Sequence, residues 1–441
     1  MKVLKFGGTS VGSPQRMKDV CKLILEDGQQ KLVVLSAMSG TTNSLVEITQ
    51  YLYGGNKAGA GDVISRLRTK YTQHVAELYS TDQYKNKVQK FIDDKFDFLA
   101  SFSPSSFDGD QEKEILAQGE LISTFMVTSY LTETGIKAAL LPALDFMRIN
   151  NDEEPDMEFI SENARKQLDQ NPGCQIYITQ GFICRNMSGA VDNLKRGGSD
   201  YTASILGAAI KADEIQIWTD IDGMHNNDPR VVDKTEAVRH LHFEEAAELA
   251  YFGAKILHPT CVQPAKFANI PVRLLNTMEP EAPGTLINNT TEADKIKAVA
   301  AKDNITAIKI KSSRMLLAHG FLRKVFEIFE SYRTSIDMIC TSEVGVSMSI
   351  DDTKHLNEIV AELKKYGTVT VDQDMCIICV VGDMDWENLG FESRAMEALK
   401  DIPVRMISYG GSNYNISFLI KESDKKRALQ RLSDVLFNGK E

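Results

Sequence analysis

A strand-like run ends in Lys5-Phe6-Gly7-Gly8-Thr9-Ser10, and twin glycines at a strand–helix junction let backbone N–H groups close on an anion. Lys5 at the strand end places an ammonium over the same oxygens, which is how a phosphate cradle is built. The alternative is a plain turn with a solvated lysine. This is not a Walker loop: Gly7 and Gly12 have the spacing, but Ser13-Pro14 stands where Lys-Ser/Thr belongs. A second glycine loop, Arg196-Gly197-Gly198-Ser199-Asp200, runs into a helical stretch. Ser199 or Asp200 is a natural N-cap there; the twin glycines and an arginine fork suited to a carboxylate point to a ligand role, with capping as a second duty.

Three further places carry polar residues in useful positions. The strand-like run 214–219 ends in Thr219 and Asp220, followed by Asp228-Pro229-Arg230. Open α/β sheets bind ligands at strand C-terminal ends; a solvated turn is the other reading. Gly253-Ala254-Lys255-Ile256-Leu257-His258-Pro259 closes a helical run. Lys255 either offsets the helix C-terminus or supplies a second cation for phosphate, while His258 before proline reads as structural. Gly119 interrupts the regular helix KEILAQGELISTFM. An interior glycine costs about 1 kcal/mol against alanine, so something must approach closely, and the adjacent Glu120 faces either solvent or a ligand.

The elements that must position these residues alternate. A βαβα rhythm from residue 2 into a helical stretch from Asn43, mostly helical pattern from 61 to 133, and strands at 138–141, 175–180, 214–219 and 272–275 predict a mainly parallel sheet covered by helices. Helices are expected at 201–211 and 243–252. Residues 1–285 thus read as one α/β domain, with 279–284 as its exit loop. Beyond it, 300–371 and 372–441 each suggest strand, helix, strand, strand, helix, strand. Met338 to Ile350 echoes Met406 to Ile420, the mark of two ferredoxin-like βαββαβ units. Their open sheet edges tend to pair, within the chain or across a dimer. Cys376 and Cys379 lie in an apolar run where a spacing of three turns them to opposite faces, so no zinc site is expected.

With 441 residues, about three domains are expected at ~150 residues each. The net charge of −11 disfavours nucleic acid or an anionic membrane as partner. It also means that an anionic substrate must find positive charge gathered locally. No apolar run approaches the ~20 residues of a membrane span, and the N-terminus lacks a signal-peptide core. Seven cysteines without framework spacing suggest free thiols in a reducing compartment, read as cytoplasmic. The motifs of metalloproteases, α/β-hydrolases, dinucleotide-binding enzymes and protein kinases are absent.

In this order, KFGGTS at 5–10, SAMSGTTN at 36–43, QGE at 118–120, TQGF at 179–182, RGGSDYTA at 196–203, WTDIDG at 218–223, DPR at 228–230, GAKILHP at 253–259 and TSEVGVS at 341–347 resemble the aspartokinases, with a paired ACT tail of the monofunctional, lysine-sensitive type. The resemblance implies ATP-dependent phosphorylation of the side-chain carboxylate of L-aspartate, the first step toward lysine, threonine and methionine. It implies that Lys5, Asp200 and Lys255 are catalytic. Thr42, Glu120, Arg196, Gly197, Gly198 and Ser199 would hold aspartate, with Arg196 on the α-carboxylate and Glu120 on the α-amino group. Lys5, Gly7, Gly8, Ser10, Thr219, Asp220, His225, Arg230, Lys255 and Ile256 would hold ATP, with Mg²⁺ carried largely by phosphate oxygens and no protein metal ligand named. A lysine effector would bind at an ACT interface through Met315, Ala318, Gly320, Phe321, Leu322, Asp337, Ser342 and Glu343, coupled to a homodimer or higher oligomer. One departure stands out: Asp192-Asn193-Leu194-Lys195 replaces the family's usual Thr-Thr-Leu-Gly. The rival readings are a kinase for glutamate, acetylglutamate or a nucleotide, and a catalytically silent amino-acid sensor.

Overall fold

The computed structural model describes residues 1–195, 197–253, 257–312, 315 and 319–438. Four expected site residues, Arg196, Lys255, Ile256 and Ala318, lie outside them. The chain forms two compact units: residues 1–224 with 256–289, and residues 225–255 with 290–441.

In the first unit the strands lie in the order Ala138–Leu141, Ile176–Gln180, Lys31–Leu35, Lys2–Phe6, Ile215–Thr219, Val272–Asn276 and Thr285–Asn288. The pairings from Ala138–Leu141 through Val272–Asn276 are parallel, and Thr285–Asn288 adds antiparallel. Lys31–Leu35 is buried at every residue, as a strand covered on both faces must be. Parallel strands end at one edge of the sheet, so the loops leaving Phe6, Leu35, Gln180 and Thr219 meet there. The helices Pro14–Leu25, Thr41–Tyr53, Lys57–Leu78, Asp82–Ser101 and Gly109–Glu133 bury Met17, Ile48, Tyr71, Phe96 and Met126 in a core shared with Phe6 and Ile178. The expected strands appear, with ends moved by at most one residue. The helix expected from 201 begins earlier, at Gly198. The hairpin Ile183–Arg185 with Val191–Asn193 was not expected, because three residues are too few for a period to register.

The second unit carries an antiparallel sheet ordered Ile339–Ser342, Gly345–Ile350, Ile296–Lys311, Thr368–Gly382, Asn415–Lys421 and Val404–Ser408. Its two long central strands shift register between Lys302 and Ile305. Past that irregularity Ile308 joins Val325, Phe329, Met348 and Ile359 in one core. Before it Val299 joins Cys376, Phe391, Phe418 and Leu432 in another. Each core is covered by two helices: Phe321–Ser331 and Leu356–Leu363 over the first, Phe391–Ala398 and Lys425–Leu436 over the second. These are two ferredoxin-like βαββαβ layers that share strands. The boundary expected at 371/372 falls inside Thr368–Gly382, and the strand half at Ile296 packs with the later repeat. Linear order cannot reveal that one strand serves two cores. The helix Phe243–Tyr251 also belongs to this unit.

Candidate active site

Two loops of the first unit interlock at the sheet edge. The Ser39 N–H donates to the Gly8 carbonyl at 3.0 Å. A Cβ on Gly8 would stand 2.7 Å from the Ala37 carbonyl oxygen, and one on Gly119 would stand 2.7 Å from the Ala37 Cβ. The close approach that Gly119 betrays is therefore made by the loop after Lys31–Leu35. That contact presses the helix Gly109–Glu133 against the loop and brings the Glu120 carboxylate to the Ala37 N–H, which donates to Oε1 at 3.1 Å. Glu120 is only 4% exposed; it does not face solvent. Its Oε2 has no hydrogen-bond partner. Burial pushes the carboxyl pKa up to about 7, since no described cation offsets the lost water.

Lys5 emerges from the first strand and its Nζ lies 2.6 Å from Asp200 Oδ1. The helix Gly198–Ile210 is not capped by Ser199 or Asp200: its N-cap is Gly197, with left-handed φ of 70° and no side-chain cap bond. A Cβ on Gly197 would also meet the His258 Cβ at 2.7 Å, so only glycine fits. Freed from capping, Asp200 turns to Lys5. A cavity of about 410 Å³ is lined by Lys5, Gly8, Thr42, Glu120, Gly197, Gly198, Ser199 and Asp200, together with residues 36–40, Phe182 and Lys195.

Several expected ligands are placed otherwise. A Cβ on Gly7 would lie 3.4 Å from the Lys5 ammonium. Ser10 does not line the cavity; it is buried and its hydroxyl pairs with Thr277 at 2.9 Å. The Thr219 hydroxyl donates to the exposed Asp220 at 3.2 Å. In the second unit His225 Nδ1 pairs with Thr235 at 2.9 Å. Exposed Arg230 spends its fork on Asp228, at 2.9 and 2.8 Å, which holds that carboxyl below its ordinary range.

The expected effector residues lie in the second unit. Gly320, at left-handed φ of 82°, precedes the helix Phe321–Ser331. Phe321 is buried, Met315 is partly covered and Leu322, Ser342 and Glu343 are exposed. Asp337 is different. Its side chain has 0% exposure, receives Lys302 Nζ at 2.8 Å and accepts the Tyr251 hydroxyl at 2.8 Å. Lys302 also reaches Asp351 at 2.9 Å and sits 4.3 Å from the Tyr251 ring centre. Neither Lys302 nor Tyr251 was flagged by sequence; nothing local marks either one.

The chain matches the amino acid kinase family over residues 1–276 and the ACT domain over residues 378–436. The lysine-sensitive aspartokinase 3 of Escherichia coli is 33% identical over 450 residues, covering 99% of both chains. The chain belongs to the aspartokinases. Aspartokinase 1, chloroplastic, of Arabidopsis thaliana is 34% identical over 99% of this chain and 80% of its own length. The structure of E. coli aspartokinase III with aspartate and ADP superposes with a TM-score of 0.85 at 32% identity, covering 99% of this chain and 100% of that one. The same enzyme with lysine and aspartate gives 0.80 at 33% identity, with 99% of each covered. The motif resemblance and the fold class are thereby borne out: this aspartokinase is an aspartate kinase, transferring the γ-phosphoryl group of ATP to the aspartate side chain. Among the described residues no helix is long and apolar enough to cross a membrane.

Proposed function

We propose that the cavity between Lys5, Glu120 and Asp200 is where aspartate meets ATP. One observation carries this reading: a buried carboxylate, Glu120, lacks any described cation, in the same cavity as a lysine–aspartate pair. A substrate α-ammonium supplies the missing charge. Phosphoryl transfer asks little covalent help, chiefly alignment and cations over developing charge. The attacking side-chain carboxylate is ionised at neutral pH, so no general base is required. Asp200 holds the Lys5 ammonium in place, and Lys5 neutralises the phosphoryl oxygens in flight. By motif, Arg196 clamps the α-carboxylate, Thr42, Gly197, Gly198 and Ser199 complete the aspartate site, and Lys255 is the second phosphate cation. Gly7, Gly8, Ser10, Thr219, Asp220, His225, Arg230 and Ile256 form the nucleotide side. Ser10 would act there through Thr277, and Arg230 would have to release Asp228.

The donor in this reading is MgATP. The ion is proposed to take most of its ligands from phosphate oxygens, where it neutralises developing charge. Residues 1–285 are proposed as the catalytic domain, with 300–371 and 372–441 as the ACT repeats through which the chain forms a homodimer or higher oligomer. Lysine is the proposed inhibitor, supported by the lysine-sensitive relative, and the proposed location is the cytoplasm, supported by seven free cysteines. ADP release should require aspartate, with glutamate and acetylglutamate inert, and should fall with millimolar lysine but not threonine. Amino-acid binding without ADP release would instead identify a silent sensor.

A further inference from the structure

The charges around the cavity leave one cation unassigned. Among the described lining residues the ionisable side chains are Lys5, Glu120, Lys195 and Asp200. Lys5 is paired with Asp200, and Glu120 accepts a backbone amide. Lys195 pairs with Glu153, a residue outside the lining. Both members of that pair sit on left-handed backbone, φ 29° at Lys195 and 63° at Glu153, a conformation unfavourable for residues bearing a Cβ. The pair does not repay that strain as a structural tie. Its side chains are 73% and 61% exposed, and ion pairs so exposed add little stability.

We propose that Lys195 is a substrate-binding residue that selects for the anionic side of aspartate, parked on Glu153 in the free enzyme and turned to a substrate carboxylate when one enters. This rests on the reading of the cavity as the aspartate site. Glu120 takes the single positive group of aspartate and Arg196 is proposed for the α-carboxylate, so the second carboxylate still needs a cation from the same wall. Lys5 is already engaged with Asp200, whereas Lys195 is held only by an exposed partner that a better-placed anion can replace. Glu153 is thereby a competitor for Lys195, and its removal should help binding.

Two variants with opposite expected signs test this in the full-length enzyme. Lys195→Met should raise the KM for aspartate about 3- to 5-fold with kcat and the KM for ATP held, the signature of lost uniform binding. Glu153→Gln should lower the aspartate KM by about 2-fold, and Lys195→Arg should keep it near the parent value. Raising ionic strength should shrink the gap between Lys195→Met and the parent. If both variants raise the aspartate KM, or if the ATP KM moves instead, the pair merely braces its loops and the proposal falls. If the parent enzyme releases no ADP with aspartate at all, what fails is the cavity assignment beneath it.

Discussion

Two buried carboxylates, one in each unit, face opposite situations. Glu120 meets a single backbone N–H and no described cation, and its second oxygen is unpartnered. The Asp337 side chain is buried too and its Oδ2 is likewise unpartnered, yet its Oδ1 already holds a lysine ammonium and a tyrosine hydroxyl. Burial raises the pKa of both; for Asp337 the Lys302 ammonium pulls the other way. A buried acid without a cation is costly to ionise and is tolerated where a ligand will supply the charge. A buried acid with its own lysine has its charge offset in the free protein. The first is prepared for a ligand's ammonium. The second must be pried from Lys302 before an effector's amine can use it.

The largest effect should follow Glu120→Gln, which keeps the shape and removes the charge. A lost contact to a charged group is worth about 2–3 kcal/mol, so kcat/KM for aspartate should fall roughly 30- to 150-fold. Stability should move oppositely. A carboxyl with a raised folded pKa favours folding below its unfolded pKa of about 4.5, and that contribution is lost as pH rises through about 7. At pH 8 the variant should therefore melt higher than the parent. If activity and melting temperature fall together, Glu120 is a structural acid and the contrast with Asp337 dissolves. Lys5→Ala is expected to cost a comparable ~3 kcal/mol in transition-state stabilisation, by analogy with one oxyanion donor.

At Asp337 the prediction reverses. Lys302→Met strands a buried carboxylate, and breaking a buried pair costs about 3–5 kcal/mol. Lys302 is 18% exposed, so about 2 kcal/mol is the expected loss, read as a lower melting temperature at neutral pH. Adding Asp337→Asn should recover most of it, because the two changes act on one pair. Equal and additive losses would show that Lys302 and Asp337 are not coupled.

The same asymmetry should appear against pH. Aspartate needs Glu120 ionised, so its KM should climb as pH drops below about 7 and flatten above it. In Glu120→Gln that climb should vanish, leaving a weaker but level KM. A climb that persists unchanged assigns the titration to another group.

How much of this was legible depends on whether the signal was local. Lys5, Gly8, Glu120 and Asp200 lie beside glycines that a strand end or a helix interior does not otherwise want, and the structure gathers them around one cavity. What the glycine at 119 could not say is that its neighbour is Ala37 rather than a ligand. Capping by Ser199 or Asp200 was a sound local reading, overturned because Gly197 adopts the left-handed turn and leaves Asp200 free for Lys5. The ties at Asp337 were invisible: Lys302 and Tyr251 lie 35 and 86 residues away, and each looks like an ordinary surface residue. Strand sharing between the repeats was hidden for the same reason, since the break at Lys302 is a change of register and not of composition.

Tyr251→Phe should give the smallest effect and the finest division between the two acids. It removes one hydroxyl that donates to Asp337 while leaving the ring over Lys302, so about 1 kcal/mol of stability should go. Tyr251 ends the helix Phe243–Tyr251, and four residues on in sequence stands Lys255, the proposed second phosphate cation. If Asp337 answers to an effector, loosening its hold on that helix end should change the lysine concentration giving half inhibition by more than it changes the KM for aspartate. If inhibition is untouched while stability drops, the Asp337 cluster is a structural knot, and the only acid in the contrast built for a ligand is Glu120.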